Sequence, residues 1–326
     1  MTRILAITLL LAAAGITHAQ LEPIRYNADE LVEMAVAGQI SPPSVRESIY
    51  RVEADGTVRF VPGVGSITYN FRVGDTAVHM AGNHVEPAVS LYNLGTENSR
   101  TSNESRALNA LSQVGNRVTV VSGDAKGVQG RVIGKHGGAE HVMVDFDAPV
   151  YDFLAIGDLM QVRALGAGMR LTNVDDVIVM NTSPDLIEAL NRAGAGVTAD
   201  GRLRIGVSHR IPARIMGSGL GRDQTFTGDY DIQMFDPETV AEYNLETLRF
   251  GDIVAIIDAD SSYGRIYRQG AITIGSVSHG RSDSAGHGPG VTTLFTSTVG
   301  NIEPFIDPRA NLAVLLEMRD DLSFDR

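Results

Sequence analysis

Gly-Asp recurs at residues 74–75, 123–124, 157–158, 228–229 and 251–252. Three of these share one form, an apolar residue, a spacer, Gly-Asp and an apolar run: "FRVGDTAV", "LAIGDLMQV" and "LRFGDIVAI". Glycine adopts the positive φ that a tight corner needs, and aspartate bonds the backbone of its own turn. Such corners, repeated between short apolar runs, predict barrel turns without chemistry of their own. The runs they punctuate read as strands: Arg117–Ser122, His141–Phe146, Val177–Met180, Leu203–Val207, Ile253–Ile257 and Ala271–Val277. Residues 49–80 read the same way, with "TVRFVPG" and "SITYNF" rich in β-branched and aromatic side chains. Strands and helices do not alternate regularly, which argues against a doubly wound sheet. The expected fold is α+β and β-rich, with small barrels or sandwiches and a few peripheral helices.

Four helices are expected around that frame. The first starts at Asn27, spaced from Glu30 as in a capping box, with Leu31, Val32, Met34 and Ala35 inward and Gly38 as its stop. The second fits "TSNESRALNALSQVG", with Thr101 and Glu104 as the capping box and Gly115 as its end. The third runs from Pro184, capped by Ser183, to about Ala193; a short fourth begins at Pro237, capped by Asp236.

The opening "MTRILAITLLLAAAGITHAQ" has Arg3, an apolar stretch Ile4–Ile16 too short to span a bilayer, and small residues Thr17 and Ala19 before Gln20. It reads as a signal peptide over residues 1–19, implying export to a periplasm or beyond. The remainder divides into an N-terminal subdomain, 20–165, and a C-terminal β-rich subdomain, 166–326. The absence of cysteine rules out disulfides, thiolate metal sites and a cysteine nucleophile, and a formal charge of −12 opposes nucleic acid and anionic membranes as partners.

The polar stretch "SHGRSDSAGHGPGVTTLFTS", Ser278–Ser297, lies between two apolar runs and holds His279, Asp283 and His287 among serines and glycines. A polar, glycine-rich loop on a rigid scaffold is a usual place for function. "HMAGNHVEPAVS" holds His79, His84 and Glu86. Pro87 favours an extended Glu86, so on a strand His84 and Glu86 would share one face as half of a divalent-metal site. The expected ligand set is His84, Glu86, His279 and His287, with His136 as an additional candidate. It requires the two turns to meet in one cleft. Asp283 is the candidate base, His287 a catalytic candidate as well as a ligand, and the 286–290 amides an oxyanion site. In "DADSSYGRIYRQGA" Arg265 is the candidate for orienting an anionic group, and Arg268 reads as a solvated charge.

"VTVVSGDAKGVQGRVIGKHGG", Val118–Gly138, resembles a KOW motif, which implies an SH3-like barrel and, in that family, RNA or protein contact. The basic cluster Lys126, Arg131, Lys135 and His136 is too small a footprint for nucleic acid on so acidic a chain. "MGSGLG" lacks the helix and glycine spacing of a dinucleotide fingerprint.

"GDYDIQMFDPETVAEYNLETLRFGDIVAIID", "YGRIYRQGAITIGSVSHG" and "AGHGPGVTTLFTS", with "GNHVEPAVS" and the KOW-like segment, resemble the bacterial and archaeal proteins of the domain of unknown function 4438 family over about Asn27–Glu317. The resemblance implies a globular chain with N- and C-terminal subdomains and no particular activity. From the residues, two functions are expected: a metal-assisted hydrolase or lyase acting on a small polar or anionic substrate, or a non-enzymatic periplasmic ligand-binding or assembly module whose contacts would make it a homo-oligomer. A serine hydrolase would need Ser282 or Ser284 beside a histidine.

Overall fold

The computed structural model describes residues 21–44 and 49–323, so the signal-peptide reading lies outside the described residues. The first part of the chain carries β1 (Met34–Ile40), β2 (Arg51–Val52), β3 (Val58–Arg59), β4 (Ile67–Thr68), β5 (Ala88–Tyr92), α1 (Asn103–Leu111), β6 (Arg117–Val120), β7 (Gln129–His136), β8 (His141–Asp145) and β9 (Leu159–Ala164). The second part carries β10 (Ile178–Val179), α2 (Pro184–Arg192), β11 (Gly196–Val197), β12 (Leu203–Val207), β13 (His209–Pro212), α3 (Pro237–Glu242), β14 (Ile253–Asp260), β15 (Ile266–His279), β16 (Gly290–Ser297), β17 (Ile302–Ile306) and α4 (Leu312–Leu315).

Six strands close into a barrel in the order β1-β9-β6-β7-β8-β5, with β1 returning to β5 and β4 attached outside. The KOW-like segment supplies the β6–β7 hairpin of this barrel. Its basic residues do not form a patch. Lys135 and His136 are buried, Arg131 is half-buried and paired with Asp185, and Lys126 is exposed. The second part centres on a five-stranded sheet, β10-β16-β15-β14-β13. A backbone-to-side-chain bond, Lys135 N to Thr292 Oγ1 at 2.9 Å, joins β7 to β16 where barrel and sheet meet. Among the described residues, no helix is long and apolar enough to cross a membrane.

Local signals explain most of the frame. Ser183 Oγ accepts from the Leu186 amide and Asp236 from the Thr239 amide, so α2 and α3 begin where Ser-Pro and Asp-Pro place them. Helix α1 is capped one residue later than its sequence suggests, by Ser102, whose Oγ accepts from Ser105 N, and it ends at Leu111, short of Gly115. In the corners at 74, 157 and 251 glycine has φ of 93, 92 and 80°, and the following aspartate accepts from the amide three residues back, at 2.7, 2.8 and 2.9 Å.

Two regions depart from the sequence reading. The expected N-terminal helix is a single 3-10 turn, Ala28–Glu30, followed by β1, which pairs along its length with β9. Val36, Gly38 and Ile40 face inward at a period of two, and Gly38 is a packing position, because a side chain there would press into Leu108 of α1 and Leu91. Residues 49–80 form only the two-residue strands β2, β3 and β4. Their apolar side chains do not all reach a core: Val52, Val58, Phe60 and Tyr69 stay exposed.

Candidate metal centre

Where barrel and sheet meet, four imidazoles and two aspartates converge. Barrel strand β7 ends at His136, and the loop before β5 brings His84. Strand β15 ends at His279, beside a register shift in its pairing with β16, and a bulge of that kind re-aims a side chain. Residues 229–232 run extended: Val291 N bonds Tyr230 O at 2.9 Å, and Ile232 N bonds Pro289 O at 2.8 Å. Alternation along that segment buries Tyr230 and Ile232 in an apolar cluster and turns Asp229 and Asp231 to the imidazoles. His287 comes from the loop between β15 and β16.

The six side chains fall into two trios, in each of which one donor atom per residue lies within 4.8 Å of the others: His84, Asp231 and His287, and His136, Asp229 and His279. In the outer trio His287 Nδ1 lies 3.0 Å from both Asp231 Oδ2 and His84 Nε2, and His84 Nε2 lies 3.8 Å from the same oxygen. His84 Nδ1 is 2.5 Å from Asn83 Oδ1, which leaves Nε2 as the lone-pair nitrogen. In the inner trio His279 Nε2 lies 2.5 Å from Asp229 Oδ2 and 3.6 Å from Asp231 Oδ1. Asp231 therefore faces both trios, one oxygen to each. A side chain at Gly290 would collide with Asp229 Oδ2 and His279 Nε2, so this space depends on glycine there.

The electrostatics follow from burial against pairing. Burial pushes the His84 imidazole down to about 4, helped by the neighbouring His279 and His136, with Asp231 opposing. Burial also disfavours charge on Asp229, Asp231 and His279, but mutual attraction wins: both carboxyls are held below their ordinary range and the His279 imidazole is lifted well above its own.

Glu86 does not join His84. His84 has φ of 56°, a left-handed conformation that breaks the strand alternation the shared-face reading assumed. The fully buried Glu86 carboxylate instead faces His136 Nδ1 at 2.5 Å and His141 Nδ1 at 2.8 Å, and accepts from Ser90 Oγ at 2.5 Å and Gly65 N at 2.8 Å. It fixes His136 from behind, leaving Nε2 as that ring's lone-pair nitrogen. Burial works against the Glu86 charge, and the His141 and His136 rings outweigh it, holding the carboxyl well below its usual range.

The remaining candidates are not members of either trio. Asp283 accepts from Arg281 Nε at 2.7 Å and lines a separate cavity with Glu53, Arg59 and Phe235. The Gly288 amide is 3.3 Å from Asp231 Oδ2, which takes up a donor that the oxyanion reading left free. Ser282 and Ser284 bond Asn83 and have no hydrogen bond to an imidazole. Arg265 is fully buried beside the Asp229 backbone; it donates from Nη2 to Thr227 O at 3.2 Å, while Nε and Nη1 have no partner. His79 is exposed, 3.4 Å from Glu246, and Arg268 pairs with Asp260 at 3.2 Å. Asp229 and Asp231 escaped the sequence reading because Gly228-Asp229 looked like the other corners. The signal was the alternation in "DYDI", which places both carboxylates on one side.

A search of curated proteins returned no match. The crystal structure of TM1086 is similar, with 45% sequence identity and a TM-score of 0.81, covering 89% of this chain and 98% of that one. Residues 50–188 match the family described as Domain of unknown function (DUF4438), N-terminal, and residues 194–316 its C-terminal counterpart. With both halves matched in order, the chain belongs to the DUF4438 family.

Proposed function

We propose that the protein is a metal-assisted hydrolase of a small polar substrate, with a divalent cation held by the outer trio. The observation that carries this reading is the partly open set of His84 Nε2, Asp231 Oδ2 and His287 Nδ1, donors from distant parts of the chain gathered within 4.8 Å. Two imidazoles and one carboxylate, without thiolates, suit zinc or another first-row divalent ion and leave a coordination position for water or substrate. A cation there would acidify a bound water and polarise a carbonyl or phosphoryl oxygen. The chain's own part is to orient the donors: Asn83 sets the His84 tautomer, and the Gly288 amide, near Asp231, helps hold that carboxylate. The side chain of His287 is 36% exposed, so the outer set meets solvent there.

The test is elemental analysis of protein purified without a tag, followed by a screen of p-nitrophenyl esters, anilides and phosphates before and after chelation. Stoichiometric metal, with hydrolysis lost on chelation, restored by metal and abolished in His287→Ala, is the expected result. Protein that neither retains nor takes up a divalent cation would overturn the reading.

A second reading, an assembly module, is supported by the hairpin β2–β3 and its neighbours, where Ile49, Tyr50, Val52, Val58 and Phe60 are exposed beside a cavity of about 850 Å³. It predicts self-association by light scattering, lost when Val58 and Phe60 are replaced by Ser.

A further inference from the structure

The inner trio carries an observation of its own. His279 Nδ1 lies 2.9 Å from the Gly280 carbonyl, an atom that only accepts, so Nδ1 holds the proton and Nε2 of the neutral ring is a lone pair. That nitrogen is 2.5 Å from Asp229 Oδ2 as an ion pair, yet neither atom makes a hydrogen bond of normal geometry. Two buried acceptors this close need positive charge between or beside them. In the metal-free protein a proton on Nε2 supplies it, in keeping with the raised His279 imidazole, although the pair does not align as a hydrogen bond. A cation supplies it differently, by drawing both lone pairs to a common point off the line that joins them.

The surroundings fit a cation. His136 completes the trio, with Nδ1 occupied by Glu86 and Nε2 left as the donor. Gly290 keeps the space clear. Asp231 presents Oδ1 3.6 Å from His279 Nε2 and Oδ2 3.0 Å from His287 Nδ1, so one carboxylate spans both trios.

We infer that the inner trio is a second divalent-cation site and that Asp231 bridges the two ions into a paired centre. This rests on the outer site holding a cation as proposed above. The inner ion has no open face and meets no substrate. Its influence passes through Asp231, whose charge it shares, and so raises the Lewis acidity of the outer ion. The donor set, imidazole and carboxylate only, suits Zn2+ or Mn2+.

The test uses the full protein, stripped of metal and titrated with Mn2+ under equilibrium dialysis, with electron paramagnetic resonance of the loaded protein. Two Mn2+ per chain with an exchange-coupled spectrum is expected. Gly290→Ala, which puts a methyl group between the inner donors, should bind one and give the uncoupled spectrum of an isolated ion. One Mn2+ per chain in the wild type, two without coupling, or two in Gly290→Ala would overturn the paired centre and leave the outer site standing. No Mn2+ at all would overturn both. Circular dichroism checks that Gly290→Ala folds; if it does not, the wild-type count and coupling decide alone.

Discussion

In the outer trio the side chains of His287 and His84 are 36% and 15% exposed, whereas in the inner trio those of His279 and His136 are 0% and 6% exposed. The anchoring differs in step. Both inner rings have a nitrogen tied from behind, His136 to Glu86 and His279 to the Gly280 carbonyl, while in the outer trio only His84 is tied, to Asn83. A buried, fully oriented donor set favours a cation that stays. A half-open set with one loosely held imidazole favours a cation that exchanges water for substrate. Similar donors, placed a few ångströms apart, thus suit one position for holding and one for reacting.

The sharpest way to break this comparison is to remove what the trios share. Asp231→Ala should weaken both sites, with metal affinity falling by more than roughly 100-fold, since a shared ligand counts for more than the 10–100-fold typical of its supporting partners; dialysis against Zn2+ reads the loss. Next come the single-ring variants. His287→Ala should abolish hydrolysis yet keep one bound ion, whereas His279→Ala should lose the inner ion and weaken the outer one, as seen by elemental analysis beside activity. Glu86→Gln keeps the shape but leaves His136 less firmly oriented, so inner-site affinity should drop by roughly 10- to 100-fold with the outer site little changed.

A separate effect, on stability rather than metal binding, concerns a buried lysine beside the inner trio. Lys135 donates to Asn181 Oδ1 at 2.6 Å and to Phe226 O at 3.0 Å, and burial pushes its ammonium down to about 7 from the ordinary 10.5. Because the folded chain releases this proton before the unfolded one does, the group penalises folding fully below pH 7. Stability should therefore rise from about pH 7 towards 10.5. Lys135→Met should flatten that slope in chemical denaturation of the metal-free protein.

How much of this was legible in the sequence depended on how local the cause was. The caps of α2 and α3 are set by neighbouring residues and were read correctly, as was the strand Leu203–Val207. Strand β1 was not, because Leu31–Ala35 suits either period and only pairing with β9 and β5 decides between them. In the site, His84 and His287 do come together, at 3.0 Å. Their chemistry-bearing loops could be noticed from composition, but the left-handed His84 that redirects Glu86, and the corner-like Gly228-Asp229 that hides a donor, are matters of three-dimensional context.

The most direct test of the account is anomalous diffraction at the zinc edge from crystals of the untagged protein grown with Zn2+. The account predicts two peaks, one among His84, Asp231 and His287 and one among His136, Asp229 and His279, about 3.5–4 Å apart as in paired-metal sites. A map with no peak at either trio would contradict it.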